Sequence, residues 1–122
     1  MATYTVTVDA QANQAATIGD GSETTAYAVD IVFTRAHFTT LTTPAYSDPE
    51  ADAADKLKIT VLPTDGEIKL SGTPILANDI FDFTTDIDAG LLTYVGDVAI
   101  TTSQILSFTF EIADAGSGIY SS

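Results

Sequence analysis

The chain contains no cysteine, no tryptophan, one histidine and only four cationic side chains among 122 residues. Each shortage closes off a class of protein. Without cysteine there is no disulfide framework and no thiolate metal site, and the cysteine count is silent on redox compartment. The cations are Arg35, Lys56, Lys58 and Lys69; set against 17 acidic residues they leave a formal net charge of −13. Phosphate backbones call for clustered Lys and Arg, so no nucleic-acid partner is expected. An anionic membrane surface would repel the same field. No stretch approaches the roughly 20 apolar residues of a membrane span, so membrane insertion is not expected. The opening Met-Ala-Thr-Tyr-Thr-Val-Thr-Val has no basic n-region and no long apolar h-region, and no signal peptide is expected there.

The shortages also bear on catalysis. Zinc sites usually draw on several His or Cys ligands, and no Gly-x-Ser-x-Gly elbow accompanies the lone His37. It reads as a loop or surface residue. Paired carboxylates for glycoside hydrolysis would lack a Trp to stack a sugar, and Glu67 and Glu111 fall on strand faces. Gly19-Asp-Gly21 and Gly116-Ser-Gly118 lack the strand-to-helix setting and nearby Lys of a phosphate cradle. The chain is not expected to be an enzyme.

What is abundant is strand grammar. Twenty threonines stand beside Val, Ile, Phe and Tyr, and β-branched and aromatic residues suit a pleated, half-buried surface. Alternation predicts strands over 3–8 (Tyr4, Val6 and Val8 on one side), 26–34, 57–62, 67–70, 73–76, 91–95 and 105–113. Arg35-Ala-His-Phe38 reads as a single helical turn. Residues 78–83 read as a short strand or turn that plugs the core with Ile80 and Phe83, and 86–90 as a brief turn ended by Gly90. The expected core is Tyr27, Val29, Ile31, Phe33, Ile59, Val61, Ile68, Leu70, Leu92, Tyr94, Phe108, Phe110 and Ile112. Turn signals recur about every 8–12 residues, the spacing of an antiparallel sandwich. The fold expected is all-β: an immunoglobulin-like or cadherin-like antiparallel sandwich of seven to nine strands. Residues 1–25 read as an N-terminal strand and polar arm connected with assembly, and 26–122 as the sandwich domain. A strand at a chain end can pair with the sheet edge of a neighbouring subunit, or serve as the first strand of its own sandwich.

Carboxylates gather in two places. Asp48, Glu50, Asp52 and Asp55 lie within eight residues, and Asp114 joins them from a neighbouring loop if the sandwich closes as the family resemblance described below implies. Asp79, Asp82, Asp86 and Asp88 form a second group. Hard cations take six to eight oxygens, so the first group with Asp114 is the candidate calcium site. The competing reading is that Asp caps loops and makes Asx-turns.

From about residue 32 to 116 the order of features resembles the cadherin-like repeats of large bacterial surface proteins, a group close to the chondroitin sulfate proteoglycan repeat. The carriers are Phe33-Thr34 with Phe38, Ser47-Asp48-Pro49-Glu50, Val61-Leu62-Pro63, Gly66, Leu70-Ser71-Gly72, Ile87-Asp88-Ala89-Gly90, Leu92-Thr93-Tyr94, Phe108-Thr109-Phe110 and Asp114-Ala115-Gly116. The resemblance implies a sandwich, an adhesive or structural role, and often bound calcium. The chain departs from it in the acidic loop, which lacks the usual Gly, and in roughly its first 30 residues.

Three functions are weighed. The first is a virion surface protein, a bacteriophage head-decoration or fibre-like subunit whose partners are capsid or tail proteins or copies of itself. The second is a calcium-stabilised adhesion repeat of a large bacterial cell-surface or secreted protein. The third is a carbohydrate-binding module using Tyr46, Tyr94 and Tyr120.

Overall fold

Ala54–Val61 is the longest strand and the centre of the packing. In the computed structural model, which describes residues 1–7, 13–22, 29–96 and 107–121, eight strands form two four-stranded antiparallel sheets. They are β1 (Ile31–Val32), β2 (Ala54–Val61), β3 (Glu67–Leu70), β4 (Thr73–Pro74), β5 (Asp79–Asp82), β6 (Leu92–Val95), β7 (Thr109–Asp114) and β8 (Tyr120–Ser121). One sheet has the order β1-β6-β3-β4 and the other β5-β2-β7-β8. The expected all-β sandwich is the fold observed.

Alternation explains which side chains lie between the sheets. Leu57 pairs with Phe81 on one side and Ile112 on the other, and all three are buried. Lys56 and Lys58 alternate with Leu57 and face outward; Lys58 sits beside Glu111 and over the Tyr120 ring. From the other sheet come Ile68 and Leu92, with Ile31, Leu70 and Tyr94 half-buried around them. Each fully buried Leu, Ile or Phe contributes about 1.5–3 kcal/mol by leaving water. Phe33, Phe38, Phe83, Phe108 and Phe110 meet edge-on or tilted at centroid separations of 5.2–6.4 Å.

The connections follow local chemistry. Pro63-Thr-Asp-Gly66 turns β2 into β3, with Gly66 at φ 74°. A Cβ there would stand 2.5 Å from the Tyr94 hydroxyl, and that hydroxyl donates to the Asp65 carbonyl. Arg35–Phe38 is the expected single helical turn, α1. His37 belongs to it: its Nδ1 accepts from the Thr34 amide at 2.8 Å, and its ring meets Phe33 edge-on. A π-helical turn, Phe83–Ile87, buries both of its ends.

Several expectations are corrected. Residues 3–7 are in no strand, and Tyr4 and Val6 are exposed, because no described segment lies alongside to pair with them. Val8, Tyr27 and Leu106 lie outside the described residues. Val29 is exposed, since the ladder of β1 begins only at Ile31. Val61 is exposed because the β2–β7 register shifts between Ile59 and Val61, and a slip of one residue turns a side chain to the other face. Ile80 points outward opposite Lys58, while Phe81 opposite Leu57 takes the core place beside Phe83. β8 was not foreseen.

Candidate metal centre

The acidic loop and the end of β7 meet at one corner of the sandwich. Ala54 pairs with Asp114, and the Ala115 amide donates to the Ala53 carbonyl. This register brings Asp114 against the loop that precedes β2. Carboxylate oxygens of Asp48, Asp52 and Asp114 lie within 4.8 Å of one another. Oxygens bound to one hard cation stand at most about 5 Å apart, twice a bond of about 2.3–2.6 Å. The three aspartates can hold a metal ion, and all-oxygen donors select hard cations over soft ones.

Each carboxylate is positioned by its own neighbours. Asp48 Oδ2 accepts the amides of Glu50 at 3.0 Å and Asp52 at 2.9 Å, closing an Asx-type loop. The loop passes through Ala51 at φ 60°, a left-handed conformation that favours glycine. Asp114 is 1% exposed. Its Oδ1 accepts the amides of Gly116 and Ser117, and its Oδ2 accepts the Ser117 hydroxyl at 2.6 Å. Burial works against its charge, but these donated bonds outweigh burial and hold its pKa below the ordinary carboxylate value. At Gly116 a Cβ would run into the Asp52 carboxylate and the Asn13 amide, so any larger residue would push those side chains aside.

Two oxygens are left over. Asp48 Oδ1 and Glu50 Oε2 are shut off from solvent without a hydrogen-bond partner. A buried carboxylate oxygen with no donor costs free energy, and a cation held by the three aspartates would relieve that cost at Asp48 Oδ1. The other Glu50 oxygen, Oε1, accepts the Gln14 amide at 2.9 Å. Glu50 is not one of the three members of the triad. Asp55 is also outside it: it follows the bulged Ala54 position of β2 and acts on Lys56 and Tyr120 on the sheet's outer face.

Tyr46 is the neighbour that composition did not reveal as part of this corner. Its hydroxyl donates to the Asp52 carbonyl at 2.9 Å. Burial, then the charges of Asp48, Asp114 and Asp52, push its pKa up to about 12, with Arg35 pulling the other way. Arg35 is already committed: it forks onto Asp88 and donates to the Ala54 carbonyl at 2.7 Å. The only sequence hint of Tyr46 was an aromatic two residues ahead of the acidic run.

The second acidic group is dispersed into local roles. Asp79 accepts the Leu76 amide, Asp86 accepts the Asp82 amide, and Asp88 holds Arg35. Asp82 pairs with Lys56, which lowers the pKa of Asp82 and raises that of Lys56. Among the described residues these four form no metal-holding cluster. The three tyrosines of a sugar platform are likewise engaged: Tyr46 at the acidic corner, Tyr94 on Asp65, and Tyr120 beneath Lys58.

Comparison with protein-family models, with curated proteins and with solved structures returned no match.

Proposed function

We propose that this chain is a non-enzymatic structural module, a decoration or fibre-like subunit on the surface of a bacteriophage virion, stabilised by calcium at Asp48, Asp52 and Asp114. The observation that carries the cation is the corner itself: three carboxylates within one coordination sphere, one of which, Asp48, has a buried oxygen that nothing donates to. Calcium suits it better than magnesium, because calcium tolerates irregular sets of carboxylate and carbonyl oxygens whereas magnesium demands near-ideal octahedra. An acidic exterior keeps such a module soluble and away from nucleic acid. The resemblance to outward-facing sandwich repeats supports a surface role.

Calcium binding to the folded state raises stability by about 2.7 kcal/mol at a hundredfold excess over Kd. The expected result is a rise in thermal midpoint with millimolar calcium that Asp52→Asn abolishes. An unchanged midpoint sinks the cation. Immunogold labelling of particles tests the surface, and particles free of label reject the virion. The second reading, an adhesion repeat of a bacterial surface protein, shares the cation and is favoured by the resemblance. An open reading frame carrying many copies of the module would select it.

A further inference from the structure

Among the described residues one edge of the second sheet is only partly paired. β7 pairs with β2 from Thr109 to Asp114, but on its other edge β8 reaches only Ile112 and Ala113. Among the described residues nothing pairs with that edge at Thr109–Glu111. Beside it lies a groove of about 420 Å³, lined among the described residues by Ile18, Gly19, Asp20, Thr60, Phe108, Thr109, Phe110 and Glu111. Ile18, Phe108 and Phe110 are core-facing side chains left partly uncovered there. An open edge next to uncovered core is a template for one more strand.

The same chain carries a segment with the complementary properties. Thr3-Tyr-Thr-Val-Thr7 alternates hydroxyl and apolar residues, the pattern of a strand with one dry face. Tyr4 is 92% exposed and Val6 73%, so its apolar face covers nothing among the described residues of its own chain. Charge agrees as well. The groove's rim carries Asp20 and Glu111, which would repel an acidic peptide or a nucleic acid. Residues 1–8 contain no acidic side chain in a chain of 17, so this segment approaches that rim without repulsion.

We infer that residues 3–7 of one copy add as a strand to the open edge of β7 in a second copy, with Tyr4 and Val6 seated against Ile18, Phe108 and Phe110. Main-chain hydrogen bonds supply the attachment and the two side chains set the register, as in other strand additions. Each copy both gives an arm and offers an edge, so the contact is head-to-tail. It closes into a ring or runs into a chain according to its rotation. The inference rests on the reading of the chain as an assembly subunit and does not depend on the cation.

The chain's lack of cysteine makes the test clean. Single variants Thr5→Cys and Thr109→Cys place thiols on the solvent-facing side of the arm and of β7. Thr73→Cys, on the far edge of the other sheet, is the control. A disulfide forms only where Cα atoms come within about 7 Å. Mixing Thr5→Cys with Thr109→Cys is expected to give several-fold more mixed disulfide than Thr5→Cys with Thr73→Cys. Removal of residues 1–7 is expected to leave the circular dichroism unchanged and to abolish self-association seen by light scattering for the full chain. Equal cross-linking at both edges overturns the inference, as does a full chain that stays monomeric. So does a Thr5→Cys/Thr109→Cys double variant that closes within one molecule. Assembly in solution without label on particles would reject the virion and leave the arm contact standing.

Discussion

Along β7, Ile112 and Ala113 have β2 on one edge and β8 on the other, whereas Thr109–Glu111 has β2 alone among the described residues. Ile112 and Ala113 are buried, and Asp114 is held by three donated hydrogen bonds. Phe108 and Phe110, at the other end, stay partly uncovered beside a groove. The neighbours differ, so one half is a fixed corner suited to an ion and the other an edge suited to a partner.

The largest expected contrast is in packing. Ile112→Ala should cost about 2–5 kcal/mol, the range for a large-to-small change in a closed core. Phe110→Ala should cost distinctly less than the about 3–5 kcal/mol of a fully buried Phe, because its ring is already part-solvated. Urea midpoints at constant m-value measure both. A Phe110 cost equal to the full core value would erase the difference between the halves.

Asp114→Ala, at the fixed end, strands the Ser117 hydroxyl and two amides and should cost about 1–3 kcal/mol. Its pH dependence has a definite sign. A carboxyl whose folded pKa is depressed contributes stability that is present above its ordinary value of about 3.9 and drains away as pH falls through the lower folded value. Asp114→Asn should flatten that acid limb of the stability curve. An unaltered acid limb would mean that the observed donors do not hold the charged form.

Smaller effects probe the loop and the register. Ala51 at φ 60° bears a left-handed penalty of about 1–2 kcal/mol, partly offset in Ala51→Gly by the greater chain entropy of glycine, about 0.5–1 kcal/mol. The net gain should stay below about 1 kcal/mol, and a loss would show that the loop is not held in that conformation. Val61→Thr, past the register shift, should fall within about 0.5 kcal/mol of the parent; a core-sized loss would restore Val61 to the interior. Tyr46 should respond with no change in stability at neutral pH. Its raised pKa means the neutral phenol contributes stability below about pH 10 that is lost as pH rises through about 12. A cation among Asp48, Asp52 and Asp114 should bring the tyrosinate transition down toward its ordinary value. Absorbance titration with and without calcium reads this directly.

Period-two alternation made most of the sandwich legible, because one face of each strand had to be dry. It failed where pairing overrides pattern. Val61 alternates correctly with Ile59 yet lies beyond a bulge, and Ile80 lost its place to Phe81 because its partner across the ladder is outward-facing Lys58. Three of the five named metal residues, Asp48, Asp52 and Asp114, come together; Glu50 instead accepts the Gln14 amide, and Asp55 acts on Lys56. Tyr46, Gly116 and Gln14 were illegible as parts of that corner, since their relevance is a matter of approach between distant segments.

The amino-acid order alone settled that this chain is a sandwich of short strands with an acidic, cation-poor exterior, because hydropathy of period two and the balance of charge are properties of the string. Only the tertiary structure decided which carboxylates share a corner and which strand edge lacks a neighbour among the described residues. Both depend on the register between segments some 60 residues apart, Ala54 against Asp114, and a one-residue slip there would disperse the aspartates without altering any local preference.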